Sequence, residues 1–313
     1  MVNNILKTKN SLFFVGKLAL FLSILFLLDF SIGGLLRRLY FEQDSGYLYR
    51  TTYSFDSTRA EFLIFGSSTA NHHYDTRIFE NRMHTSVYNT GRDGNTIFYN
   101  YAIFQSIQKR YVPKIAILDF NVGEFRYMED SYDRISSLLP YYENHPEIRS
   151  IVQLKSRYEK FKLLSKIYPF NSLLFSIGVG NTNYNKTRDI INDKEGYIPL
   201  NYVWNKPVST DTSVADYELD HNKINIFKSF VMECIAHEIQ LFIIISPRFL
   251  QYSKDPSIEI VRKIAGDFNQ PFFDFSKDTL FWQHPEYFAD KVHLNDVGAH
   301  IFSNKVIDKI SKR

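Results

Sequence analysis

Residues 61–70 read EFLIFGSSTA. Phe62 to Phe65 form an unbroken apolar run, and Gly66 stops it. A short apolar run closed by glycine predicts a strand buried on both faces. Ser67, Ser68 and Thr69 follow, and such residues favour the starts of helices. The stretch therefore predicts strand, tight turn, helix.

The same alternation continues outward. A helical pattern runs from Asp75 to Met83, and Thr85 to Asn89 is a second strand candidate. Thr96 to Arg110 has helical spacing, and Lys114 to Phe120 is a third strand introduced by Pro113. Gln240 to Ser246 is a fourth strand, ended by Pro247. Pro256 to Phe268 reads as a helix, Phe272 to Phe275 as a fifth strand, and Asn295 to Lys312 as a closing helix. Apolar strands alternating with helices predict an α/β fold. The expected form is a flavodoxin-like three-layer α/β/α arrangement around a mostly parallel five-stranded sheet. Cys234, the single cysteine, lies in the apolar helical stretch Phe230 to Ile235 and reads as core. No intrachain disulfide is possible.

Residues 127–225 break the rhythm with a helical pattern over Glu147 to Ile167 and a polar stretch over Asn181 to Asp220. We read this as an insertion over the carboxyl edge of the sheet, serving either as a lid or as a structural elaboration. Upstream, residues 1–10 read as a tail, 11–36 as a transmembrane anchor and 37–57 as a juxtamembrane linker, leaving 58–313 for the globular domain. Leu18 to Leu36 holds 19 residues with one charge, Asp29. A span needs about 20 apolar residues, more than a cleaved signal sequence contains. If the span is instead Ser11 to Phe30, Asp29 sits near the interface. It is otherwise a candidate contact for a second membrane protein, such as an acyl-transfer partner. Lys7, Lys9 and Lys17 before the span balance Arg37, Arg38 and Arg50 after it, so charge does not set the orientation.

Net charge is only +3 and no basic run or nucleic-acid signature occurs, so nucleic acid is not an expected partner. Aromatic residues reach 16%, but Ile, Lys and Asn run high with them, which reads as compositional bias rather than a sugar-binding signal. His237-Glu238 lacks the second histidine of a zinc protease, and there is no Gly-x-Ser-x-Gly elbow or phosphate-binding loop. His72-His73 is a candidate metal or substrate contact, or simply a partly exposed helix start.

Open parallel sheets place their sites beyond the carboxyl ends of the strands. Ser67 and Ser68 follow the first strand there, and Gly91 and Gly94 lie in the loop after the second. Asp119 and Asn121 follow the third, and Asp290-Lys-Val-His293 precedes the last helix. An aspartate three residues before a histidine allows the carboxylate to orient an imidazole that serves as base toward a serine.

In this order the chain resembles the SGNH/GDSL hydrolases over roughly residues 58–125 and 240–313. Gly66-Ser67-Ser68 is similar to their first block, Gly94 to the second, and Asp290-x-x-His293 to the last. The resemblance implies Ser68 as nucleophile, with Asp290 and His293 completing a triad. It also implies an oxyanion hole from Ser68, Gly94 and Asn121. The family's Gly-Asp-Ser is Gly-Ser-Ser here, as in its membrane-anchored branches, and its Gly-x-Asn-Asp block is missing. By resemblance the chain is a serine esterase or O-acyltransferase acting on acetyl esters of an envelope polysaccharide. It is expected at the bacterial inner membrane with its domain on the periplasmic side, using no metal or diffusible cofactor. The alternative is an inactive relative that binds glycan or a membrane partner.

Overall fold

The computed structural model describes residues 2–192, 195–205, 216–249 and 254–312. Parts of the polar stretch within the insertion, 193–194 and 206–215, lie outside the described residues.

Five parallel strands form one sheet in the order β2-β1-β3-β4-β5. They are β1 Phe62–Phe65, β2 Val87–Asn89, β3 Ile115–Asp119, β4 Gln240–Ile245 and β5 Phe272–Asp274. The register pairs Ile64 with Asn89 and with Ile117, and Asp119 with Ile244. Side chains alternate across the sheet. Leu63, Phe65, Leu118 and Ile243 enter one core, while Phe62, Ile64, Ile117 and Phe242 enter the other. Both faces are apolar because both are covered, as the uninterrupted runs predict.

Two helices, α1 Val2–Phe41 and α2 Gly46–Asp56, precede the sheet. Within the alternation, α3 Ser68–His73 and α4 Thr76–Met83 follow β1, and α5 Ile97–Gln108 follows β2. Later come α6 His221–Ala236, α7 Pro256–Asp267 and α8 Asp296–Ile310. Phe104, Phe230 and Val261 place α5, α6 and α7 on the first core. Phe79, Phe302 and Val306 place α4 and α8 on the second. Asp75, Asp220, Asp255 and Asn295 cap α4, α6, α7 and α8 through their side chains. The helices thus begin where short polar residues satisfy free backbone N–H groups. Cys234 is buried in the first core.

Three expectations change. Residues 37–57 are not a loose linker: α1 continues to Phe41, and α2 packs Leu48 and Phe55 into the first core. Residues 2–10, read as a tail, begin α1. The long helix over 147–167 is broken into pieces at 149–155 and 159–162, because Ser156 is extended (φ −166°, ψ 144°). Within the described residues, the insertion's segments 134–141, 146–148 and 174–192 pack against α5 or α2 rather than over the sheet edge. Its anchor there is Tyr141, whose ring stacks on Phe55 at 4.0 Å and whose hydroxyl meets those of Tyr40 and Thr52 at 3.0 and 2.7 Å. Among the described residues of the insertion, the stretch 195–204 crosses the carboxyl edge. It is held by Asn89 N–H to Glu195 O, Ile198 N–H to Asn71 O and Trp204 N–H to Phe288 O.

α1 is long and apolar enough to cross a membrane from Ser11 onward, and its apolar side chains face outward.

Candidate active site

The nucleophile candidate stands where β1 turns into α3. Gly66 makes the turn possible: a Cβ there would meet Ala70 Cβ at 2.6 Å and Asp119 Cβ at 3.0 Å. Only glycine allows α3 to sit this close to the end of β3. Ser67 is the N-cap residue and Ser68 the first residue of α3.

Opposite lies the segment 288–294, closed on itself by a bridge between Phe288 and Leu294 and by Ala289 N–H to His293 O. Asp290 Oδ1 accepts N–H groups from Val292 (2.7 Å) and His293 (2.8 Å). This local turn is a habit of aspartate. It directs Oδ2 to His293 Nδ1 at 2.8 Å, and His293 Nε2 lies 2.7 Å from Ser68 Oγ. With Nδ1–H donating to Asp290, the tautomer assigned by this network leaves Nε2 to accept the Ser68 hydroxyl. Burial pushes the Asp290 carboxyl up. The His293 ring and the two backbone N–H groups outweigh it and hold the group well below the usual carboxylate range. It stays anionic, which suits it to steady an imidazolium. Ser68 is half-buried and reachable from solvent.

Of the two adjacent serines, Ser68 meets the histidine. Ser67 Oγ instead accepts the Asn121 amide at 2.5 Å. Asn121 also bonds Thr69 and Glu124. Asn121 thus braces the serine turn, donating to Ser67 and accepting from Thr69. Gly91 packs on α3, where a Cβ would meet Asn71 N at 2.7 Å, whereas Gly94 lies beside Arg134. The N–H groups of Ser68 and Gly94 have no acceptor among the described residues.

Two groups named from the sequence have partners that the sequence did not reveal. Beneath α3, fully buried Asp119 accepts hydroxyls from Thr69, from Tyr74 at 2.8 Å and from Ser246 at 2.5 Å. Burial pushes its pKa up, and these hydroxyls partly offset that. Beside α3, His72 and His73 are both buried rather than a partly exposed helix start. His73 Nε2 accepts Leu294 N–H at 2.9 Å, so that nitrogen is closed to a metal. Burial holds His73 neutral, its pKa well below the usual value. His72 Nδ1 meets Ile198 O at 2.6 Å and its Nε2 meets Asp93 Oδ2 at 3.3 Å, with the ring 5.5 Å from that of His293. The adjoining residues Asn71, Asp93 and Ile198 line a cavity of about 320 Å³, walled further by Tyr47, Arg50, Arg92 and Tyr99.

No protein-family model matches the chain, and no curated protein does. Among solved structures, it is similar to an acetyl xylan esterase at 13% identity and a TM-score of 0.40, over 80% of this chain and 99% of that one. It is likewise similar to a lipase/acylhydrolase from Enterococcus faecalis at 10% identity and a TM-score of 0.40, over 80% and 95%. At that distance, the chemistry must be read from the site itself.

Proposed function

We propose that the chain is an SGNH-type serine esterase or O-acyltransferase, anchored in a membrane by α1. One observation carries this reading: the unbroken line Ser68 Oγ, His293 Nε2, His293 Nδ1, Asp290 Oδ2, with links of 2.7 and 2.8 Å. Ser68 attacks the ester carbonyl while His293 takes its proton. The resulting imidazolium faces an anionic Asp290. Charge on the carbonyl oxygen is met by the Ser68 and Gly94 N–H groups, and one such donor typically contributes about 2.7–4 kcal/mol to lowering the barrier. The alcohol leaves with the proton from His293. An acyl-Ser68 remains, to be released by water in an esterase or by a sugar hydroxyl in a transferase.

The substrate we infer is an acetyl ester of a cell-envelope polysaccharide, met on the periplasmic side. The anchor helix supports a substrate at a membrane surface. The cavity beside His72, with its asparagines, arginines and tyrosines, supports a hydroxyl-rich ligand.

The test is acetate release from an activated acetyl ester, alongside labelling by a fluorophosphonate. Wild type and Ser67→Ala should turn over and label, and Ser68→Ala should do neither. A folded wild type that neither turns over nor labels would exclude the enzyme reading and leave a glycan-binding module.

A further inference from the structure

Asp29, a carboxylate in an otherwise apolar stretch, is fully engaged. It accepts the Ser165 hydroxyl at 2.5 Å, Lys166 N–H at 2.8 Å and Ile167 N–H at 3.3 Å. One turn further on, Gly33 lets the same segment touch the helix backbone: a Cβ there would meet Lys166 Cβ at 2.4 Å. Arg37 and Lys166 both reach Glu143, at 3.8 and 3.1 Å. The partner of Asp29 is thus the chain's own insertion.

This contact fixes a level along α1. Irregular backbone such as 165–167 is not tolerated in lipid-exposed hydrocarbon. Taking α1 as the membrane span proposed above, the hydrocarbon must end near Asp29. The span is then Ser11 to Phe30, about the 20 residues a bilayer requires. Immediately before the Asp29 contact, the insertion projects three large apolar side chains into solvent. Tyr158, Phe161 and Leu164 are 51, 68 and 78% exposed. Leu164 adjoins Ser165, which is bonded to Asp29 itself. Arg157 precedes these three side chains and Lys160 lies among them, and neither has an acidic partner among the described residues. Aromatic and aliphatic tips interleaved with cations, continuous with a membrane helix at its interfacial level, fit a bilayer surface with anionic headgroups.

We propose that the turn 157–164 is a second membrane contact: Phe161 and Leu164 enter the boundary between headgroups and acyl chains, and Arg157 and Lys160 meet lipid phosphates. The inference rests on α1 spanning the membrane, and its test separates the two claims. The full chain is reconstituted in phosphatidylcholine vesicles containing phosphatidylglycerol, with an environment-sensitive fluorophore on Phe161→Cys, Leu164→Cys, Leu25→Cys or Lys263→Cys. The native Cys234 is buried. Labels at 161 and 164 should be shielded from aqueous iodide and quenched by a lipid-borne nitroxide, as at 25 and unlike 263. Their shielding should weaken in Arg157→Gln/Lys160→Gln or without phosphatidylglycerol. Labels at 161 and 164 that behave like 263, while 25 is shielded, would overturn the second contact and leave the anchor intact. Shielding from iodide without quenching by lipid would assign the turn to a second copy of the chain and also overturn it. A label at 25 open to iodide would remove the anchor and the second contact together.

Discussion

Two histidine–aspartate pairs lie side by side at the carboxyl edge of the sheet, their imidazoles 5.5 Å apart. They contain the same groups and are wired differently. His293 gives one nitrogen to Asp290 and keeps the other for Ser68. His72 has its nitrogens between the Ile198 carbonyl and Asp93, so neither is left to accept a proton from a nucleophile. An adjacent carboxylate does not make a histidine a base. What matters is the partner of the second nitrogen.

The largest expected effect separates the pairs outright. His293→Ala should lower kcat by about 10⁶-fold, as loss of the base in a serine triad does. His72→Ala removes hydrogen bonds near the site but no group that touches Ser68, so kcat should fall by no more than about tenfold. Steady-state kinetics on an activated acetyl ester measure both, and equal losses would break the distinction. Next come the carboxylates. Asp290→Asn should lower kcat by about 10⁴-fold through the wrong tautomer. Asp93→Asn should leave kcat nearly unchanged.

A subtler contrast concerns the platform under both. Asp119→Asn leaves one of three hydroxyls facing an amide hydrogen, at a cost of about 1–3 kcal/mol in a denaturant melt. The smallest effect is on acid stability. Partial loss of solvent pushes the Asp93 carboxyl up, but His72 and Asn71 outweigh it and bring it from 3.8 to about 2. A carboxyl depressed in the folded state stabilises above its unfolded value and loses that contribution as pH falls through the folded one. Wild type should therefore lose stability relative to Asp93→Asn between pH 3.8 and about 2, and the melting difference should be flat above about pH 5.

The sheet was legible because strands covered on both faces are apolar throughout, so Phe62–Phe65 and Leu241–Ile245 announce themselves without a pattern. The three side chains that the structure brings into line were legible because Ser68 follows a strand and Asp290 and His293 share one turn. Helix α2 was not legible. Its buried residues include Gly46, Thr51 and Ser54 beside Leu48 and Phe55, which leaves no apolar stripe to read. Nothing between Arg149 and Ile167 resembles a helix breaker, so the extended Ser156 was invisible. Asp119 and Asn121 were visible as polar residues at a strand end. Which hydroxyls they serve depends on how closely Gly66 lets α3 approach, and that is a property of the assembled backbone.

The bonds between Asp29 and the 165–167 turn make α1 a mast rather than a tether. A tethered domain swings through a hemisphere and samples substrate at many heights. With α1 in a membrane as proposed, a domain braced to its own helix by a carboxylate, a close glycine contact and the buried Tyr40–Tyr141 pair could turn only about the membrane normal. Ser68 would then sweep a ring at one altitude. Under the proposed function, esters at that altitude would be edited and identical esters nearer to or further from the bilayer would be passed over, so the mast would confine the chemistry to one layer.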